Sequence, residues 1–210
     1  MPVSRFEPVS PSALAHRLAE LCGDRHPGRH PLRLALDAPS CADLTEPVAS
    51  LAAELQSAGR PVGVVRAADF YRDASLRLEY GRTDVESFYT GWLDTGALQR
   101  EVLDPLAEHG RYLPSLRDPV TNRSTRAHPA ELAASGVLLL CGELLLGVGL
   151  HLDLTVHVSV SRQARRRLTG EELRWTLPAF DRYDHEVDPA GLADAVIRYD
   201  DPRHPALLVR

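Results

Sequence analysis

The apolar positions of this chain fall into short runs separated by polar, turn-rich stretches, and the period of each run identifies the element it predicts. Leu32 to Asp37 (LRLALD) and Pro61 to Arg66 (PVGVVR) are compact apolar runs bounded by turn formers, as buried strands are. Val137 to Cys141 is apolar throughout, which fits a central parallel strand covered on both faces. Leu152 to Val160 predicts a further strand, and Asp194 to Arg198 with Leu207 to Val209 supplies the last ones. Between these runs the period becomes helical. Ser12 caps an amphipathic helix running through Leu21 to Gly23, and Glu46 to Ala58 forms another that stops at Gly59. In 84–109 the residues Leu98, Val102 and Leu106 share one stripe, whereas 110–136, rich in Pro, Arg, Asn and Ser, predicts a surface excursion or hairpin. Alternation of strands and helices gives an α/β fold, a three-layer sandwich around a mainly parallel central sheet. Residues 1–30 read as an N-terminal helix and linker, and 31–210 as the main domain.

Composition narrows the classes of function. A net charge of −5 argues against a general nucleic-acid binder. No apolar run approaches the roughly 20 residues of a membrane span, and the N-terminus lacks the basic start and apolar core of a secretory signal. Three widely spaced cysteines, Cys22, Cys41 and Cys141, form no disulfide framework, so a reducing cytoplasm is the expected location.

The candidate chemistry begins at the first buried strand. Strand, tight loop and amphipathic helix over 32–58 are the frame in which a phosphate-binding loop sits. That loop, GxxxxGK[ST], uses glycines to wrap backbone N–H groups around phosphate oxygens, lysine to reach the terminal phosphates and a hydroxyl for Mg²⁺. With Asp37 ending the strand, the frame here is Ala38-Pro39-Ser40-Cys41-Ala42-Asp43-Leu44-Thr45, so Asp43 and Leu44 stand at the Gly-Lys positions and only the hydroxyl of Thr45 remains. No lysine elsewhere can substitute, because all 24 Lys+Arg residues are arginine. Two readings stay open: a turn capped internally by Asp43 or Thr45, or residual nucleotide binding through Ser40, Cys41 and Thr45.

The order of motifs resembles the uridine kinase family of P-loop nucleoside kinases. The likeness runs from about residue 12 to the C-terminus. It rests on the strand-loop-helix at 32–58, Asp-Phe-Tyr-Arg at 69–72, Phe88-Tyr89 to Leu98, Leu103-Asp104-Pro105-Leu106, Cys141-Gly142, the arginines of 162–167, Leu177-Pro178-Ala179-Phe180 to Tyr183, Ala193-Asp194 and Asp201-Pro202. It implies a P-loop NTPase-type fold, ATP and Mg²⁺ as cosubstrates if the chain is active, and transfer of the γ-phosphoryl group to a nucleoside hydroxyl. It further implies Arg165 and Arg166 as lid residues, Tyr71, Asp84 and Asp118 as substrate contacts, and Thr45 with Glu143 at the metal. The departures fall where the chemistry is. Ala68 holds the position of the family's base, leaving Asp69 as a base displaced by one residue. Cys141 holds the expected acidic position, with Glu143 two residues on, and Thr83 stands where a sugar-contacting Asp is expected, beside Asp84.

A lost attraction at Leu44 and an added repulsion at Asp43 together cost about 4 kcal/mol after solvent screening, or on the order of a thousandfold in rate or affinity. The expectation is therefore a catalytically impaired protein that binds a nucleotide, a nucleoside or a protein partner. The alternative is a working uridine- or cytidine-type kinase with displaced residues. Other candidates have plainer readings. The arginines of 162–167 suit a solvated helix face as well as a lid, and His26 and His30 suit a surface loop. His151, Asp153 and His157 share one face of a strand, but its ends lie about 20 Å apart, too far for a common metal. Cys41 stands near a helix N-terminus without a base placed beside it.

Overall fold

The structure, a computed structural model, describes residues 5–210. Seven strands form one sheet: β1 (Glu7–Pro8), β2 (Leu32–Asp37), β3 (Val62–Arg66), β6 (Val137–Gly142), β7 (Leu154–Ser159), β8 (Ala195–Arg198) and β9 (Ala206–Val209); β4 (Arg111–Tyr112) and β5 (Ala130–Glu131) pair separately. The order is β1-β9-β8-β7-β2-β6-β3. The five strands from β3 to β8 run parallel, and β9 and β1 close the far edge antiparallel. β2 and β6 therefore lie centrally with both faces covered, which is why their sequences are nearly unbroken apolar runs.

Successive residues of each strand serve opposite layers. Leu34, Leu36, Val137 and Leu139 join one core with α1 (Pro11–Asp24) and α2 (Thr45–Ser57). Ala35, Leu138 and Leu140 join a second core with the helices that follow β3. On this second side stand α3 (Ala74–Arg77), α4 (Val85–Gly91), α5 (Thr95–Leu98), a π-helical turn at Gln99–Leu103 and α6 (Asp104–His109). Later come α7 (Arg162–Leu168), a 3₁₀ turn at Glu171–Thr176, α8 (Leu177–Glu186) and α9 (Pro189–Leu192). Phe88 of α4 and Phe180 of α8 share a third core with Val196 and Leu208 of the sheet.

Several local expectations need correction. The first helix begins at Pro11 with Ser10 as its cap, the Ser10 hydroxyl accepting the Ala13 amide at 3.2 Å; a proline at the first helical position starts the helix before Ser12. It packs against the sheet, joining the first core through Leu14, Leu18 and Leu21. The stripe of Leu98, Val102 and Leu106 is buried, but 84–109 is not one helix. Asp94 caps a new start by accepting the Ala97 amide at 2.8 Å. Pro105 has no N–H for the Glu101 carbonyl, which instead accepts the Leu113 amide at 2.9 Å, and the helix widens there into its π turn. His30, expected at the surface, is 7% exposed, with Nδ1 2.9 Å from the Pro31 carbonyl oxygen. The segment 110–136 holds the β4–β5 pair and a bridge between Arg117 and Ser124, a hairpin. No helix among the described residues is long and apolar enough to cross a membrane.

Candidate functional site

Parallel strands gather their carboxyl ends at one edge, and the loop 38–44 leaves β2 there. Pairing of Asp37 with His157 across β2 and β7 brings two polar side chains together at that edge. Asp37 is 1% exposed and fully engaged. One carboxylate oxygen accepts the Leu145 amide at 2.9 Å, and the other lies 2.7 Å from His157 Nδ1 and accepts the Tyr183 hydroxyl at 3.1 Å. Burial, then the Asp37 charge, pushes the Tyr183 phenol far up, so it stays a donor.

Two amides at the loop end on protein carboxylates. The Ser40 amide donates to Glu143 Oε2 at 3.2 Å, and the Thr45 amide to Asp43 Oδ1 at 2.9 Å. The hydrogen bonds of Thr45, hydroxyl and then amide, hold the Asp43 carboxyl below its ordinary value. Cys41 is half-buried, and burial raises its thiol against the opposing pull of Thr169 and Arg165. Arg165 is 5% exposed and commits itself to Asp181 at 3.2 Å and to Asp184, with Phe180 beneath its guanidinium. Arg166, next to it, is exposed.

Behind the loop lies an open cleft. A cavity of about 330 Å³ is bounded by Tyr71, Phe88, Trp92, Glu143 and Tyr183. Rings meet edge to face in its wall, Phe88 to Trp92 at 5.3 Å and Tyr71 to Trp92 at 5.6 Å, and Trp175 backs Phe88 at 5.5 Å. The Arg77 guanidinium lies 4.8 Å from the Trp92 ring centre, and its Nε donates to the Arg72 carbonyl at 2.8 Å. At the floor Tyr71 donates its hydroxyl to Glu143 Oε1 at 2.7 Å. Burial raises the Glu143 carboxyl above its ordinary value, against the hydrogen bonds of Tyr71 and Ser40.

The residues singled out from sequence divide into two groups. Ser40, Cys41, Thr45, Tyr71, Glu143 and Arg165 meet around the loop and cleft. Asp69, Asp84 and Asp118 do not converge there. Asp69 turns to Arg66 at 2.8 Å, and burial raises its carboxyl against that arginine's pull. Asp84 caps α4 through the Ser87 amide at 2.7 Å, and Asp118 closes its own turn on the amides of Val120 and Thr121. No cluster of three or more His, Cys, Asp or Glu residues suited to a metal ion occurs among the described residues. Sequence reasoning missed the Asp37–His157–Tyr183 network and the part played by Arg77. The signal for the first was an aspartate ending an otherwise apolar central strand.

Neither a protein-family model nor a curated protein matches the chain. Among solved structures, a possible uridine kinase from Bacillus stearothermophilus superposes with a TM-score of 0.72, covering 88% of this chain and 97% of that one at 18% identity. The chain has a P-loop kinase-type fold. A protein described provisionally as a fructose transport system kinase from Silicibacter sp. TM1040 aligns with a TM-score of 0.56 over 87% of this chain and 91% of its own, at 20% identity. At such identities the likeness is one of fold.

Proposed function

We propose that this protein is a uridine-kinase-like pseudokinase: it binds a nucleoside in the aromatic cleft without transferring a phosphoryl group to it. The observation that carries the reading is the Glu143 carboxylate at 3.2 Å from the Ser40 amide. A protein anion takes the loop donor that a phosphate would require, and a second, Asp43, sits at the helix start, where the partial positive charge favours anions. Thr45 is spent on Asp43, Leu44 offers no charge and Arg165 is paired with two aspartates. These residues do not fit a triphosphate with Mg²⁺. Ring walls around a cavity of about 330 Å³, with a carboxylate and phenol hydroxyls at its floor, suit a planar base carrying a sugar.

Thermal unfolding with uridine, cytidine, UMP and ATP, each with and without Mg²⁺, tests this directly. Stabilisation by nucleosides and none by Mg²⁺–ATP is expected. Mg²⁺-dependent stabilisation by ATP, with nucleoside monophosphate formed, would replace the reading with an active kinase. No response to any of the four would favour a protein-binding module.

A further inference from the structure

On the opposite face of the sheet from the aromatic cleft, α1 and α2 leave a cavity of about 250 Å³. Leu36, Val158 and Ile197 bound it from three strands, and Leu14 and Leu51 from the two helices, all of them buried. Two further residues distinguish it from a packing gap. Leu44, at the lysine position of the phosphate loop, lines this cavity and packs on the core of this face. Tyr199, just beyond β8, also lines it and is 6% exposed, yet its hydroxyl makes no hydrogen bond among the described residues; only its amide is paired, to the Ser159 carbonyl at 2.9 Å. The hydroxyl is accessible from the cavity and has no protein partner among the described residues, so it is free to donate to a ligand that supplies an acceptor. Pro11, Pro47, Pro202 and Pro205 frame the cavity, so much of its rim has fixed φ angles and is formed in advance of binding.

We propose that this cavity binds a small, uncharged, ring-sized apolar molecule carrying one hydrogen-bond acceptor, which Tyr199 recognises. Size follows from volume: a cavity of about 150 Å³ lined by aliphatic side chains holds benzene, and the larger space here admits a ring with a short carbonyl substituent. The aliphatic lining disfavours an ion, and the Arg203 guanidinium, which also lines the cavity, is paired with Asp201 at 3.2 Å. An ion would lose its hydration against leucine, valine and isoleucine. An anion would also meet Asp43, whose charge acts on the Tyr199 phenol, and Glu46 at the rim. Leu44 then has a positive use: the side chain that no longer reaches a phosphate contacts the ligand on the other face. This site is independent of the nucleoside reading, since its residues are not those of the cleft.

Isothermal titration of the full chain with acetophenone, toluene and benzoate provides the test. Acetophenone is expected to bind saturably, toluene roughly tenfold more weakly for want of an acceptor, and benzoate not at all. Tyr199→Phe should bring acetophenone down to the level of toluene. Ala15→Leu, which fills part of the cavity without touching the hydroxyl, should weaken both ligands and keeps the test available should the tyrosine variant unfold. Absence of saturable acetophenone binding, an unchanged acetophenone-to-toluene ratio in folded Tyr199→Phe, tighter binding of benzoate, or binding indifferent to Ala15→Leu would each overturn the proposal.

Discussion

Loop 38–44 and the aromatic cleft share one side chain, Glu143, and use it to opposite ends. Its Oε2 closes the loop by accepting the Ser40 amide, while its Oε1 accepts the Tyr71 hydroxyl at the floor of a space that stays open. On the loop side, carboxylates accept the Ser40 and Thr45 amides and draw the chain together. On the cleft side rings meet edge to face, and their rigid planes hold the walls apart where flexible aliphatic side chains would collapse inward. The loop can thus be drawn in while the neighbouring pocket stays open, because the two depend on different forces.

The comparison breaks first at Asp37, which anchors both regions. Asp37→Ala leaves His157, the Tyr183 hydroxyl and the Leu145 amide without their shared partner in a buried site, so a loss of about 3–5 kcal/mol is expected in urea unfolding. A loss under about 1 kcal/mol would mean that water replaces the carboxylate and that loop and cleft are not tied through it.

Phe88→Ala attacks the open side alone. This residue is 5% exposed and meets Trp92, Trp175 and Phe180, so removing its ring should cost about 3 kcal/mol and abolish stabilisation by uridine. Retained uridine stabilisation in a folded variant would show that the nucleoside binds elsewhere.

The closed side should open only when both of its anions go. Asp43→Gly with Leu44→Lys restores the missing positions but leaves Glu143 on the Ser40 amide, and little gain in ATP binding is expected. Adding Glu143→Ala should tighten ATP by about 2 kcal/mol, some thirtyfold, relative to that double variant, as read by calorimetry. Equal affinities for the double and triple variants would remove Glu143 from its role as the internal anion.

The smallest effect is a pH slope. Burial raises the folded carboxyl of Glu143, so the native state holds its proton more tightly than the unfolded chain. Its contribution is complete below the ordinary value of 4.5 and is lost as pH rises through the raised folded value. Glu143→Gln should therefore flatten the decline in unfolding free energy that begins near pH 4.5. An unchanged slope would place the carboxyl in a more polar setting than its surroundings indicate.

How much of this was legible depends on the range of the forces involved. Four apolar runs announced β2, β3, β6 and β7 because burial on both faces leaves a local mark on sequence. The strand-loop-helix frame of β2 and α2 was likewise legible, since it is contiguous in sequence. What closes the loop was not visible, because Ser40 and Glu143 are 103 residues apart and meet only through the register of β2 with β6. Asp37 and His157 are separated by 120 residues and meet through β2 and β7. The family-like motif at 69–72 offered Asp69 as a displaced base, a reading that local sequence could not check, because the 3₁₀ turn at Ala67–Phe70 sets its side chain against Arg66.

The antiparallel seam between β1 and β9 sets how the molecule responds to force. Glu7 pairs with Leu207 and Pro8 with Ala206, so the first and last described strands run side by side with their outer ends at one corner. Tension applied between residues 5 and 210 would pull across this seam, opening its bonds one after another like a zip. The five parallel strands behind it would be loaded only after the seam had opened. A molecule held at those two points should therefore yield early and in steps, with the site-bearing part of the sheet among the last to let go.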